Sequence, residues 1–113
     1  MVKFMILFRN PGSGLDQAVF ENRYNDFLAL VERMPDIRRR QVINVIGSPL
    51  GTTTLYRILE VYFDDTPQME AALLTPAGQE AGQELAKFAA GSFELIFAEV
   101  YEEEGGSTPN ANA

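Results

Sequence analysis

The chain contains neither cysteine nor histidine. Without cysteine there is no disulfide, no thiolate nucleophile and no thiolate metal site, and without histidine the commonest metal ligand and the usual neutral-pH base are both missing. A transition-metal centre would need carboxylates alone, and proton transfer near neutrality falls to carboxylate, tyrosine or lysine groups retuned by burial. Basic residues are also few: 9 Lys and Arg against 16 Asp and Glu give a formal charge of -7. That balance argues against nucleic acid and anionic membranes, which attract clustered cations. Long apolar runs are absent as well. The opening Met1 to Phe8 is interrupted by Lys3 and ends at Arg9-Asn10-Pro11. It lacks the longer apolar region and small-residue cleavage site of a signal peptide, and no stretch approaches the roughly 20 residues of a membrane span. A cytoplasmic protein with no cofactor is the expectation.

What the chain does have is apolar strands. Phe4-Met5-Ile6-Leu7-Phe8, Val42-Ile43-Asn44-Val45-Ile46, Ile58-Leu59-Glu60-Val61-Tyr62-Phe63 and Phe93-Glu94-Leu95-Ile96-Phe97-Ala98 carry apolar residues on both alternating sides. A sheet wetted on one face would show polar residues at every second position. Strand one, about Val2 to Arg9, ends in the breaker run Asn10 to Gly14. Phe20, Tyr24, Phe27, Leu28, Val31 and Met34 then fall on one face of a helix, with Asp16 as cap or first-turn acid and Pro35 as its end. Ile37 to Ile46 and Leu55 to Phe63 read as an antiparallel hairpin joined through Gly47 to Thr54. Thr66-Pro67 and Thr75-Pro76 each match a helix start with threonine as cap and proline first inside, giving a short helix near Gln68 to Leu74 and a second near Ala77 to Ala90. A last strand runs from Phe93 to Tyr101.

The order β-α-β-β-α-β is the split βαβ, or ferredoxin-like, plan: α+β, with a four-stranded antiparallel sheet and helices on one face. Residues 1–104 form a single domain, and 105–113, without apolar anchors, are expected to be disordered. With Phe63 toward the helices, Arg57, Leu59 and Val61 share its side, while Tyr56, Ile58, Glu60 and Tyr62 face away. Either phase leaves large side chains on the uncovered face, each worth roughly 1.5 to 3 kcal/mol when buried. The expected partner is a second copy, packed sheet to sheet.

Glu60, mid-strand among apolar neighbours, is the candidate acid–base residue; the alternative is an ion pair with an arginine across the sheet or dimer interface. Arg57 and Asn44 are candidates to orient a carbonyl or phenolate, with Tyr24 and Tyr62 supplying hydroxyls to the same pocket. Against this stands the reading of Arg57 as an ion-pair partner, Asn44 as a satisfied strand polar and both tyrosines as core aromatics with wet tips. Glu94 and Glu99 read as edge charges, and Arg38-Arg39-Arg40 as a charged strand entry. Gly12-Ser13-Gly14 lacks the lysine and spacing of a phosphate loop.

The Val2-Lys3-Phe4-Met5-Ile6-Leu7 strand, the Met34-Pro35-Asp36-Ile37-Arg38-Arg39 helix exit, the Glu60-Val61-Tyr62-Phe63-Asp64-Asp65 strand end and Thr75-Pro76-Ala77-Gly78-Gln79 together resemble the EthD-like family. That family lies in the superfamily of dimeric α+β barrels, with antibiotic-biosynthesis monooxygenases and muconolactone isomerase-like enzymes. The resemblance reaches to about Glu103. It implies a homodimer that binds or transforms an aromatic or polyketide-like compound without cofactor, by monooxygenase-, isomerase- or cyclase-like chemistry. Many EthD-like sequences carry a histidine closely followed by proline in the second half of the first helix. Phe27 or Leu28 stands at that place here, so no histidine-based step carries over. A non-catalytic ligand-binding, accessory or assembly homodimer is the alternative.

Overall fold

Burial alternates along the first strand: Val2, Phe4, Ile6 and Phe8 are buried, while Lys3, Met5 and Leu7 are only half-buried. This strand thus has one covered and one open face. The computed structural model describes residues 1–103, so the expected disorder of 105–113 lies outside the described residues. In chain order the elements are β1 (Val2–Arg9), α1 (Gly14–Val31), β2 (Arg39–Asn44), β3 (Leu55–Phe63), α2 (Thr66–Leu74), α3 (Pro76–Ala89) and β4 (Phe93–Glu99). The sheet order is β2-β3-β1-β4, every neighbouring pair antiparallel. This is the ferredoxin-like plan, with the second helical region divided into α2 and α3.

Directly opposed residues of antiparallel strands share a face. Phe4 pairs with Val61 and Phe97, and Ile6 with Leu59 and Leu95, on the helix side. Lys3 pairs with Tyr62 and Ala98, and Met5 with Glu60 and Ile96, on the open side. Phe20, Tyr24, Phe27 and Val31 of α1, Met69 and Ala72 of α2, and Ala81, Leu85 and Ala89 of α3 close the core over the first set. Each large side chain so buried contributes roughly 1.5 to 3 kcal/mol.

Local chemistry accounts for the helix ends and adjusts three expectations. Ser13 caps α1, and Asp16 returns the bond to the Ser13 N–H at 3.2 Å, making a reciprocal capping box. Pro35 does not mark the end of α1, which stops at Val31; the Arg33 and Met34 N–H groups then close tighter turns on the Leu30 and Val31 carbonyls before the proline. Asp65, not Thr66, caps α2, its carboxylate accepting from the Gln68 N–H at 2.9 Å. Thr75 does cap α3: its hydroxyl accepts from the Gly78 N–H at 3.1 Å and donates to the Ala72 carbonyl at 2.6 Å, fastening the two helices together. Gly78 is required there, because a Cβ would lie 2.5 Å from the Ala72 and Leu73 carbonyl oxygens. The strand expected over 37–46 is regular from Arg39 to Asn44, with one further bond to β3 at each end, from the Arg38 N–H to the Tyr62 carbonyl and from the Val45 N–H to the Tyr56 carbonyl, and Asp36 turns with positive φ before it. No helix among the described residues is long and apolar enough to cross a membrane.

Candidate functional site

A bulge in β3 builds the polar cluster under α1. Phe8 pairs with Arg57 but Arg9 with Leu55, so Tyr56 is the extra residue. Strict alternation sends Tyr56 to the open face. The bulge instead turns it with Arg57 toward α1, where its hydroxyl donates to Glu21 Oε2 at 2.6 Å and its ring meets Phe20 edge-on at 5.4 Å. The sequence expectation for Tyr56 is corrected on that ground.

Arg57 is buried, and each of its three donor nitrogens has a partner. Nη1 and Nη2 hold Glu21 at 2.9 and 2.8 Å, and Nε donates to Asn44 Oδ1 at 2.8 Å. Its guanidinium also lies 4.6 Å from the centre of the Tyr24 ring and 5.3 Å from that of Tyr56. The Arg57 hydrogen bonds hold the Glu21 carboxyl below its usual range against the opposing effect of burial, with Tyr56 adding to the lowering. Tyr24, Asn44 and Arg57 are therefore brought together as the sequence suggests, and Glu21 and Tyr56 join them. Glu21 is the residue that the sequence reading lacked. Its signal was a carboxylate beside Phe20 and three residues before Tyr24, at the rim of the apolar stripe of α1.

The Tyr24 hydroxyl is buried without a hydrogen-bond partner among the described residues. Burial pushes its pKa up to about 12, with the nearby Arg57 charge acting in the opposite direction. An orphaned hydroxyl of this kind is costly and calls for an explanation. Around it, Phe20 stacks on Tyr24 at 5.6 Å, and Phe8 meets Tyr24 edge-on at 5.5 Å. Phe20 has a second role as a wall of a pocket of about 250 Å³ between the start of α1 and the end of α3, which Phe88, Val19 and Arg9 also line. A smaller apolar pocket of about 60 Å³ lies among Phe4, Phe27, Met34 and Leu85.

Glu60 and Tyr62 occupy the opposite face of the sheet, so the expected five-residue pocket does not exist. Alternation along β3 separates them from Arg57, and their partners belong to the open side. Glu60 Oε2 pairs with Lys3 at 3.2 Å and Oε1 accepts from the Tyr62 hydroxyl at 2.7 Å. Both residues are buried already in one protomer. The ion pair weighed for Glu60 is present, with Lys3 in place of an arginine. Arg39 lies over the Tyr62 ring at 4.3 Å, while Arg40 turns to the other side and bonds Glu32 at 2.8 Å. Arg38 pairs with Asp64, and Glu94 and Glu99 are exposed, in keeping with charges at a strand entry and edge. The described residues contain no cluster of three or more Asp and Glu placed to hold a metal.

No family model matches the sequence. Solved structures do. A ferredoxin-like dimeric protein of unknown function from Bacteroides fragilis superposes with a TM-score of 0.63 at 22% identity, covering 88% of this chain and 95% of that one. SnoaB, a cofactor-independent oxygenase from Streptomyces nogalater, gives 0.65 at 16% identity, covering 91% and 95%. At those identities the likeness shows the fold. An ethyl tert-butyl ether d (EthD) family protein from Bacillus halodurans gives a TM-score of 0.81 at 31% identity, covering 89% of this chain and 99% of that one. A match of that identity over nearly the whole of both chains decides the matter: this chain belongs to the EthD family.

Proposed function

We propose that this protein binds an apolar aromatic or polyketide-like small molecule bearing a carbonyl or phenolate oxygen, at the pocket beside Phe20 and Phe88, with Tyr24 and Arg57 as its polar recognition groups. The observation that carries the reading is the buried Tyr24 hydroxyl without a partner, on a ring whose centre lies 4.6 Å from the Arg57 guanidinium. A ligand oxygen would satisfy that hydroxyl and lie in the field of the cation. Phe20 links the pocket to Tyr24, lining the one and stacking on the ring of the other, while Tyr24 and Arg57 are not themselves part of the pocket lining. Binding there requires the Phe20 ring to shift so that the pocket reaches the Tyr24 hydroxyl, a flat ligand then replacing the stacking. Any proton delivered to the ligand oxygen would come from Tyr24, because Arg57 stays charged throughout the accessible pH range. The cofactor-independent oxygenase among the fold's neighbours supports small-molecule chemistry on this scaffold without naming the reaction.

The test is a nuclear magnetic resonance titration with 1-hydroxy-2-acetonaphthone, a two-ring ketone with a phenolic hydroxyl. Saturable shifts centred on Phe20, Tyr24, Arg57 and Phe88 are expected. No saturable shift up to about 1 mM, the weakest affinity worth assigning to such a site, overturns the reading.

A non-catalytic accessory homodimer is the second reading, favoured by one observation: apart from the Tyr24 hydroxyl, the polar groups under α1 already satisfy one another. In both readings two copies associate through the open sheet face, where Met5, Leu7, Ile43, Ile58 and Ile96 present apolar surface. The dimeric Bacteroides fragilis protein supports that arrangement. Sedimentation decides it, a monomer at about 50 μM being the contrary result.

A further inference from the structure

We propose that the Lys3, Glu60 and Tyr62 network is the element that fixes how two copies of this chain lie on each other, and this rests on the homodimer just inferred. The open face is not uniformly apolar. Ile43, Ile58 and Leu7 form one row across β2, β3 and β1, and Arg39, Tyr62 and Lys3 form another nearer the chain's start. Between them lies Gln41, Glu60 and Met5. A concavity of about 420 Å³ adjoins the polar row, lined by Met1, Arg39, Tyr62 and Tyr101 among others.

The network is paired inside one protomer, so covering it does not strand the Glu60 carboxylate. Oε1 accepts from Tyr62 and Oε2 from Lys3. Lys3 is different. Its ammonium has three donors, of which Glu60 takes one at 3.2 Å and the Tyr62 hydroxyl a second at the long distance of 3.5 Å. The remaining donor must find an acceptor on the partner or a trapped water once the face is covered. A partner slid so that its Ile43, Ile58 and Leu7 row covers Lys3 offers neither. The same slide removes apolar cover from this protomer's own isoleucine row. Gln41 and Glu94, both exposed, are acceptors on the same face of a second copy, so the surface carries both halves of the match. One buried polar group that permits one register and penalises the others is the best-attested use of such a group at an interface.

The absence of cysteine makes the test clean. Leu15→Cys and Leu74→Cys, at exposed positions on α1 and α2, accept spin labels away from the open sheet face. Electron–electron distances between copies are then measured in the otherwise unaltered chain and in Lys3→Met/Glu60→Met, which removes both charges and keeps apolar bulk. The expected result is one narrow distance for the former, and a dimer with a broad or multiple distribution for the latter. An unchanged narrow distance in the double variant overturns the proposal while leaving the dimer standing. A chain that is monomeric without the double change overturns both. Should the double variant fail to fold, Glu60→Gln decides: it is expected to weaken dimerisation at least about tenfold, and an unaltered dimer constant contradicts the proposal.

Discussion

The Arg57 guanidinium and the Glu21 carboxylate meet through two parallel hydrogen bonds of 2.9 and 2.8 Å across the gap between β3 and α1. Bidentate geometry makes this the strongest single polar tie between sheet and helix in the candidate site. Because Arg57 is buried and Glu21 is the more exposed partner, breaking the pair from the two ends gives unequal results.

Glu21→Gln keeps one acceptor and removes the charge. It is expected to cost roughly 1 to 2 kcal/mol, well below the value for a fully buried pair because the Glu21 side chain is 38% exposed. Urea denaturation at neutral pH measures it. Arg57→Met is expected to cost less than Glu21→Ala, since the first leaves a carboxylate that water can reach and the second leaves a buried cation unpaired.

The pH dependence follows from the direction of the Glu21 shift. Its folded pKa lies below the ordinary 4.5, so its contribution is present above that value and is lost as pH falls through the folded pKa. The acid limb of the stability curve should therefore be shallower in Glu21→Gln than in the unaltered chain below about pH 4.5. Superimposable acid limbs would contradict the assignment.

Tyr24 acts at the other end of the scale. Its folded pKa is raised from 10.0 to about 12, so its contribution is complete below pH 10 and declines as pH rises toward the folded value. Tyr24→Phe removes the orphaned hydroxyl, and is expected to leave stability at pH 7 unchanged or raise it by up to about 1 kcal/mol. It should also flatten the alkaline limb between about pH 10 and 12. A loss above about 1 kcal/mol at pH 7 would mean that the hydroxyl has a partner, contrary to its isolation here.

Gly78→Ala opposes two effects of known sign. Helix propensity favours alanine by about 1 kcal/mol, whereas the new methyl meets two backbone carbonyl oxygens at 2.5 Å. Backbone cannot step aside as a flexible side chain can, so a net loss of roughly 1 to 3 kcal/mol is expected in thermal or urea unfolding. Gly82→Ala in the same helix, with nothing near its added carbon, should gain stability. Equal effects at the two glycines would remove the close approach of α2 and α3 as the cause.

Much of the fold was legible in the sequence because its signals are local. Short runs apolar on both alternating sides marked the four strands, the Phe20 to Val31 stripe marked α1, and Thr75-Pro76 marked the start of α3. Alternation also assigned Arg57 to the helix face and Glu60 and Tyr62 to the other, which is where they lie. The common pocket was inconsistent with that alternation. Tyr56 failed for a different reason: a bulge is a property of two paired strands, set by the Arg9–Leu55 register, and no single strand announces it. Glu21 was missed because a carboxylate at the rim of a helix stripe reads as solvated until the opposing strand places an arginine over it.

The central claim is that Tyr24 and Arg57 recognise a ligand oxygen, and calorimetric titration with 1-hydroxy-2-acetonaphthone tests it most directly. The unaltered chain should bind one equivalent per protomer, and Tyr24→Phe, equally stable and equally folded, should bind about tenfold more weakly through loss of one hydrogen bond. Equal affinity in the two proteins, or no binding to either, would contradict the account.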